Sequence, residues 1–422
     1  MSHPSFAPRA PGAASTATAS ATPRRLRVVA ACGLWLLAGA VGLPCLAQTA
    51  ADPGRAPVLI GFDGAYGQKT NTAPIAIELG ARAAIDEINR AGGVLGGRPL
   101  QLVTTDNKGV SARGRDNFVE LASMKGMVAV MGGKYSPISV EVLPDAHRMK
   151  VPLISVWGSA DAITDHGYQP SYSFRVSLKD EWGVEAMIRR MGQKYKATSA
   201  CAFLPNTAWG RSAENVIRTR AGKFHLHFPV VRWYNWGDVT FSEAYQACLQ
   251  GKAQALLFVG NEKEAAVLLR DMVHQPPAQR LPVVAHWGTV GGTLHELVGD
   301  ALQQVTFDVI QTFTFVNNPR PQARRLADWI HRNSPYATDT AIPSPVGAAH
   351  AYDTVHLLAL AVRQAKSADP VKVRDALEHL PAHAGAVRDY TPPFTRQRHD
   401  ALGPQQLLFV RLTPQGVLLP VP

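Results

Sequence analysis

Short apolar runs alternate with helix-period segments along almost the whole chain. PVLIGFDG ends in glycine, and IAIELGARAAIDEINRAGG then reads as a helix stopped by a glycine pair. RPLQLVTTD, ARGRDNFVELASM and MVAVMGG repeat the strand, helix, strand rhythm, and VEVLPDAHRMK, started or broken near Pro144, leads to VPLISVWGS. The second half continues with ATSACAFLP, GRSAENVIRTRAG, FPVVRWYNW, FSEAYQACLQ, AQALLFVG, EKEAAVLLRDMV and LPVVAHWG. Apolar runs of about five residues separated by helical segments predict parallel strands joined by crossover helices. The fold class is therefore α/β. Gly92 and Gly93 end a helix, and Gly96 and Gly97 make a turn before a strand.

The N-terminal segment changes the picture of compartment. The first acidic residue is Asp52; before it stand Ala, Ser, Thr and Pro, a basic cluster of Arg24, Arg25 and Arg27, and the apolar run VVAACGLWLLAGAVGL. A basic region, an apolar region short for a membrane span and small residues after it make a secretory signal over residues 1–47, with a mature start near Gln48. Cys45 offers a lipoprotein alternative, which Pro44 fits poorly, and Arg24-Arg25 is a weak twin-arginine match. Without residues 1–47 the 422-residue chain retains about 375 residues, enough for two lobes. Its net charge falls from +11 to +7, with 39 basic residues against 32 acidic. The basic residues are scattered rather than striped with aromatics, which argues against nucleic acid. No later apolar run reaches membrane length, so no direct membrane insertion of the mature chain is expected.

Candidate chemistry is sparse. No GxGxxG opens a helix directly after the first strand and no GxxxxGK[ST] occurs, so no nucleotide cofactor is implied. Fourteen histidines include no HExxH pair, GxSxG is absent, and no cysteine spacing suggests zinc, which leaves no metal site and no support for an enzyme. The carboxylates, Asp86-Glu87 and Glu262/Glu264 among them, read as solvated helix faces. Cys201 and Cys248 remain after the signal and are free to pair or not, since spacing alone does not establish geometry.

Residues Ile77 to Asn107, IELGARAAIDEINRAGGVLGGRPLQLVTTDN, resemble the type I periplasmic binding proteins of the leucine/isoleucine/valine-binding family. GGKYSPISVEVLP, VPLISVWGSAD, PSYSFRVSLKDEWG, FLPNTAWGRS, LFVGNEKEAAVLLRD and AYDTVHLLALAV extend the resemblance over nearly the whole mature chain. It implies two Rossmann-like lobes with parallel sheets joined by three hinge crossings, near Phe174 to Val176, Phe307 to Phe313 and Ala386 to Tyr390. The N-terminal lobe would comprise residues 48–175 and 313–387, the C-terminal lobe residues 176–312 and 388–422. The partners implied are a small solute and an ABC permease or, alternatively, a membrane sensor kinase; a monomer in the periplasm is expected.

The same resemblance supplies candidate site residues. Ser136 in GGKYSPIS occupies the place of a serine that binds the ligand carboxylate, and Trp157 and Ser159 in SVWGSAD complete that site. Ser136 also lies at a strand-to-helix turn, where a helix N-terminus favours an anion; a plain N-cap is the other reading, for Ser159 as well. Trp209, in the strand-to-helix turn FLPNTAWGRS, takes the place of an aromatic that closes over the ligand. With Tyr66, Tyr135 and Trp157 from the first lobe it would form an aromatic sandwich across the cleft. Asn261 follows LFVG, and Trp287 or His286 stands where amino-acid binders carry an acid for the ligand's ammonium. A buried ammonium without a carboxylate is costly. The expected ligand is thus an aromatic or amide-bearing acid rather than leucine, with Asp161 or Glu262 as alternative partners for an ammonium.

Overall fold

The computed structural model of the protein describes residues 56–422; the signal segment and the mature start lie outside the described residues. The chain builds two sheets in succession, one per lobe. The first contains β1 (Val58–Gly64), β2 (Leu100–Asp106), β3 (Met127–Gly132), β4 (Leu153–Ser155) and β5 (Ser173–Arg175) in the order β2-β1-β3-β4-β5. All its pairings are parallel, with Val58 opposite Leu100 and Leu153 opposite Ser173. Crossovers α1 (Ala73–Arg90), α2 (Ser111–Ala122) and α3 (Ser136–Met149) separate the first four strands. Helix α3 starts at Ser136 and runs through Pro144, because Val142, Leu143 and Ala146 around the proline are buried in the lobe's core.

The chain leaves the first sheet after Arg175 and begins α4 at Asp180 (Asp180–Tyr195). The second sheet then grows through β6 (Ser199–Pro205), β7 (His227–Tyr234), β8 (Ala255–Phe258), β9 (Val283–Ala285) and β10 (Phe307–Gln311). Between them lie α5 (Ala208–Arg220), α6 (Ser242–Gln250), α7 (Glu262–Val273) and the short α8 (Leu294–Val298) and α9 (Ala301–Gln304). Strands β6 and β8 are buried along their whole length, which is why they read as unbroken apolar runs.

After β10 the chain returns to the first lobe as α10 (Pro321–Asn333), α11 (Pro345–Ala365) and α12 (Pro370–Leu377), with α10 and α11 packed on α1. The second crossing thus follows β10, a strand of the second sheet, and runs from Thr312 to Arg320. A small hairpin, β11 (His383–Ala384) with β12 (Asp389–Tyr390), precedes the third passage. The chain ends as β13 (Leu408–Leu412) and β14 (Leu418–Val421), giving the order β14-β13-β10-β9-β8-β6-β7. These last two strands are antiparallel additions to an otherwise parallel sheet. The tight turn between them, with Gly416 at φ 81°, leaves no room for a crossover.

Cys201 on β6 and Cys248 on α6 are joined by a disulfide that ties that helix to the sheet. Among the described residues no helix is long and apolar enough to cross a membrane, and no three His, Cys, Asp or Glu side chains are grouped to hold a metal ion.

Candidate functional site

Strand β4 ends at Ser155, and the chain turns sharply through Gly158, where a Cβ would stand 3.1 Å from Ser155 Oγ and 3.4 Å from Ser136 Cα. Ser155 and Ser177 hydroxyls hold the turn by donating to Gly158 O at 2.8 and 3.0 Å. Beyond it the carbonyls and the amides of residues 159 and 160 are split between two partners. Arg175, fully buried on the first crossing, donates Nη1 to Ser159 O (2.7 Å) and Ala160 O (3.1 Å) and Nε to Asp400 Oδ1 (2.6 Å). The amides face Ser136, whose Oγ accepts from Ser159 N at 3.0 Å and Ala160 N at 3.2 Å. Ser136 is the first helical residue of α3, after the cap position Tyr135, and its hydroxyl is not a cap. Two backbone N–H groups therefore converge on the Ser136 hydroxyl beside a helix N-terminus, and with that hydroxyl rotated to donate the three would suit a carboxylate.

An aromatic cluster lies against this loop. Trp157 and Trp287, each 1% exposed, have ring centroids 5.7 Å apart. The Trp157 indole is wedged between lobes: a Cβ on Gly291 would be 3.0 Å from its Cζ2, and one on Gly347 2.9 Å from its Cζ3. Trp287 is the second-lobe ring that meets it. Trp209 stands one ring further back, edge-on to His286 at 4.9 Å and against Gly288, both in its own lobe. His286 links Trp209 to Trp287, whose centroid is 6.0 Å away. The large indole at the mouth of the β6–α5 turn is thus buried in the second-lobe wall of the cleft rather than left in water.

An ion pair and a histidine–carboxylate pair that periodicity did not reveal also sit here. Glu262, the first residue of α7, reaches across to Lys134, which follows β3; the Nζ to Oε2 distance is 2.5 Å, with the two side chains 2% and 1% exposed. Thr70 Oγ1 donates to the other Glu262 oxygen at 3.1 Å. Glu262 is therefore not on a solvated face, because α7 begins at the carboxyl end of β8 and aims its first turn into the crevice. Backbone bonds from Thr72 N and Ala73 N to Gly291 O, and from Thr293 N to Thr70 O, close the lobes along the same seam. The second pair is His286 with Asp180, 3.0 Å apart and fully buried. Asp180 opens α4, and its own N–H donates to Ser159 O at 2.9 Å. Next to it Asp161 accepts from Glu181 N at 2.9 Å, and burial, with the Asp180 carboxylate nearby, pushes its carboxyl up to about 7.

The remaining candidates are placed apart from the indoles. Tyr135 and Asn261 line a cavity of about 610 Å³ at the outer edge of the cleft, together with Gln68, Thr70, Trp236 and Glu262. Tyr135 donates to Gln68 Oε1 at 2.5 Å and packs on Trp236 of the other lobe, centroids 5.4 Å apart. Asn261 is the N-cap residue of α7, and its N–H donates to Glu264 Oε2 at 3.2 Å. Tyr66 packs edge-on against Phe62 and donates to Glu78 on α1, both within the first lobe. The structure thus brings Ser136, Trp157, Ser159, Trp209 and Trp287 to one loop and ring cluster, Tyr135 and Asn261 to its rim, and gives Tyr66 partners elsewhere.

A family model described as periplasmic binding protein matches residues 55–416. The leucine-, isoleucine-, valine-, threonine- and alanine-binding protein of Pseudomonas aeruginosa is 23% identical over 310 residues, 71% of this chain and 76% of that protein. A branched-chain amino acid transporter substrate binding protein of Streptococcus pneumoniae, in complex with isoleucine, superposes with a TM-score of 0.72 at 21% identity, covering 87% of this chain and 99% of that one. An ABC transporter solute binding protein of R. palustris, in complex with benzoate, does so at 0.70 and 15% identity, covering 87% and 96%. A match over residues 55–416, on two lobes whose strand ends face a common cleft, makes the chain a member of the type I periplasmic binding proteins, in the branched-chain amino acid binding family.

Proposed function

We propose that the protein is the solute-binding component of an ABC-type uptake system and closes its lobes around a small aromatic or amide-bearing acid. The observation that carries this reading is the convergence of Ser136 Oγ with the Ser159 and Ala160 amides beside the Trp157–Trp287 pair. In the structure Ser136 Oγ accepts from both amides. An arriving carboxylate would take over the two amides as acceptor, and the Ser136 hydroxyl would turn to donate to it. The indoles would then cover a flat ring. Lys134 neutralises Glu262 and His286 engages Asp180 Oδ1, so neither nearby carboxylate is wholly free for an ammonium. In this role residues up to 175 and 313–387 act as one lobe and residues 176–312 and 388–422 as the other, moving about the crossings.

A second reading is favoured by one atom. Asp180 Oδ2 is buried without a partner, and in a genuine branched-chain amino acid binder it would receive the ammonium. A thermal-shift screen of ligand-stripped protein against aromatic acids, their amides and the twenty amino acids separates the two. At a ligand concentration about a hundredfold above Kd the stabilisation is about 2.7 kcal/mol, large enough to see. Aromatic acids should give the largest shifts; a dominant shift with leucine or isoleucine would establish the second reading instead.

A further inference from the structure

The Asp180–His286 pair has a polarity that a structural role does not require. A carboxylate only accepts, so His286 Nε2, 3.0 Å from Asp180 Oδ1, carries a ring proton, and in the neutral ring this leaves a lone pair on Nδ1. That Nδ1 is buried and has no partner. The ring is held between Trp209 and Trp287, edge-on to both, so its orientation is fixed by packing as well as by Asp180. Trp157 Nε1 and Trp209 Nε1 are likewise buried and unpartnered. Of the fourteen such atoms among the described residues, these three and Asp180 Oδ2 fall on one run of neighbouring groups at the cleft. A packing role alone would be met by an apolar ring. A buried carboxylate that sets the tautomer of a histidine is the arrangement that prepares the other nitrogen for a contact.

We propose that His286, oriented by Asp180, is the specificity-determining residue of the cleft, its Nδ1 accepting a hydrogen bond from a hydroxyl on the ring of the bound acid. The ligand class is then hydroxylated aromatic carboxylates, preferred over the unsubstituted acids; this rests on the aromatic-acid reading above. Asp180 N is itself bonded to Ser159 O at 2.9 Å, so the histidine's partner adjoins the carboxylate-binding loop, and one small molecule can engage both.

The test is calorimetric titration of the ligand-stripped protein with benzoate and the three monohydroxybenzoates. At least one hydroxybenzoate should bind about tenfold more tightly than benzoate, the order expected for one well-made buried hydrogen bond. His286→Phe, which keeps a ring and removes both nitrogens, should bring that ratio to near one. Asp180→Asn, which can donate to Nε2 and move the ring proton to Nδ1, should also reduce it. A ratio unchanged in both variants, or affinities for both ligands lowered in parallel, would show a structural role and overturn the proposal. Should neither variant fold, the native protein still decides: equal binding of benzoate and all three hydroxybenzoates overturns the hydroxyl contact while leaving the aromatic-acid reading intact. If no aromatic acid binds and amino acids do, the aromatic-acid reading itself fails and takes the hydroxyl contact with it.

Discussion

The Lys134–Glu262 pair should control how tightly the lobes stay shut without ligand. Glu262→Gln leaves the Lys134 ammonium 2% exposed without a counter-charge, its acceptors reduced to neutral oxygens, the new amide and Gly291 O at 3.4 Å. Breaking a buried pair by removing one partner costs about 3–5 kcal/mol. Opening the cleft hydrates Lys134, so this cost falls on the closed form alone. At about 1.4 kcal/mol per factor of ten, the ratio of closed to open molecules should drop by roughly a hundredfold to a few thousandfold. Small-angle scattering of the ligand-free protein should then show a larger radius of gyration for Glu262→Gln, and likewise for Lys134→Met. The double variant buries no unpaired charge, so it should recover at least half of the loss, with a coupling energy of about 2 kcal/mol or more in a double-mutant cycle on thermal stability. Additive single effects, with coupling under about 0.5 kcal/mol and unchanged scattering, would refute the reasoning.

Ser136→Ala should weaken an acidic ligand about tenfold or more, since hydrogen bonds to charged groups contribute roughly 1.5–3 kcal/mol, while the melting temperature moves little; unchanged affinity in titration would remove Ser136 from the site. The disulfide closes a loop of 47 residues, for which chain entropy gives about 4 kcal/mol of stabilisation; Cys201→Ala/Cys248→Ala should lower the urea midpoint accordingly, and a loss under about 1 kcal/mol would contradict that account. Burial pushes His350 down to about 4 and Asp353, on the same helix, up to about 6. Neutral His350 contributes stability above its unfolded value near 6.5 that is lost as pH falls toward 4, whereas protonated Asp353 contributes below 3.8 and is lost as pH rises through 6. Urea unfolding at about pH 7 and about pH 4.5 should therefore show a shallower acid loss for His350→Gln and a steeper one for Asp353→Asn, and equal slopes would exclude this assignment.

The two-lobed α/β fold was legible because parallel strands covered on both faces must be apolar throughout. ATSACAFLP and AQALLFVG announce β6 and β8, and neither needs a partner strand to be read. The antiparallel β13 and β14 were missed; their pattern, half-buried on β13 and mostly exposed on β14, gives no such run. The second crossing was expected near Phe307 to Phe313 from the resemblance, whereas Phe307–Gln311 pairs into the second sheet as β10, with Asp308 buried between Arg190 and Arg411 from distant parts of the chain. At the candidate site, Ser136, Trp157 and Ser159 were named through the resemblance of short motifs, and they lie together because Ser136 Oγ meets the loop that holds the other two. Lys134 with Glu262 and Asp180 with His286 are separated by 128 and 106 positions, so only the closed fold turns them into pairs.

These pairs also explain why no side-chain cation faces the Ser159 and Ala160 amides that the proposed reading gives to an anion. Arg175 stands beside Ser159 and Ala160, yet its guanidinium is turned to their carbonyls and to Asp400, and so serves the crossing rather than the ligand. Lys134 is spent on Glu262 across the seam. What remains for an anion is neutral: a hydroxyl, two amides and the positive end of α3. A charged side chain there would hold the anion in the open cleft as well as in the closed one, whereas fixed dipoles are strong only where water is excluded. On the proposed reading anion binding and exclusion of water are thereby coupled, so the ligand that completes the donor set would also be the one that favours closure, with its ring and any hydroxyl against Trp157, Trp287 and His286.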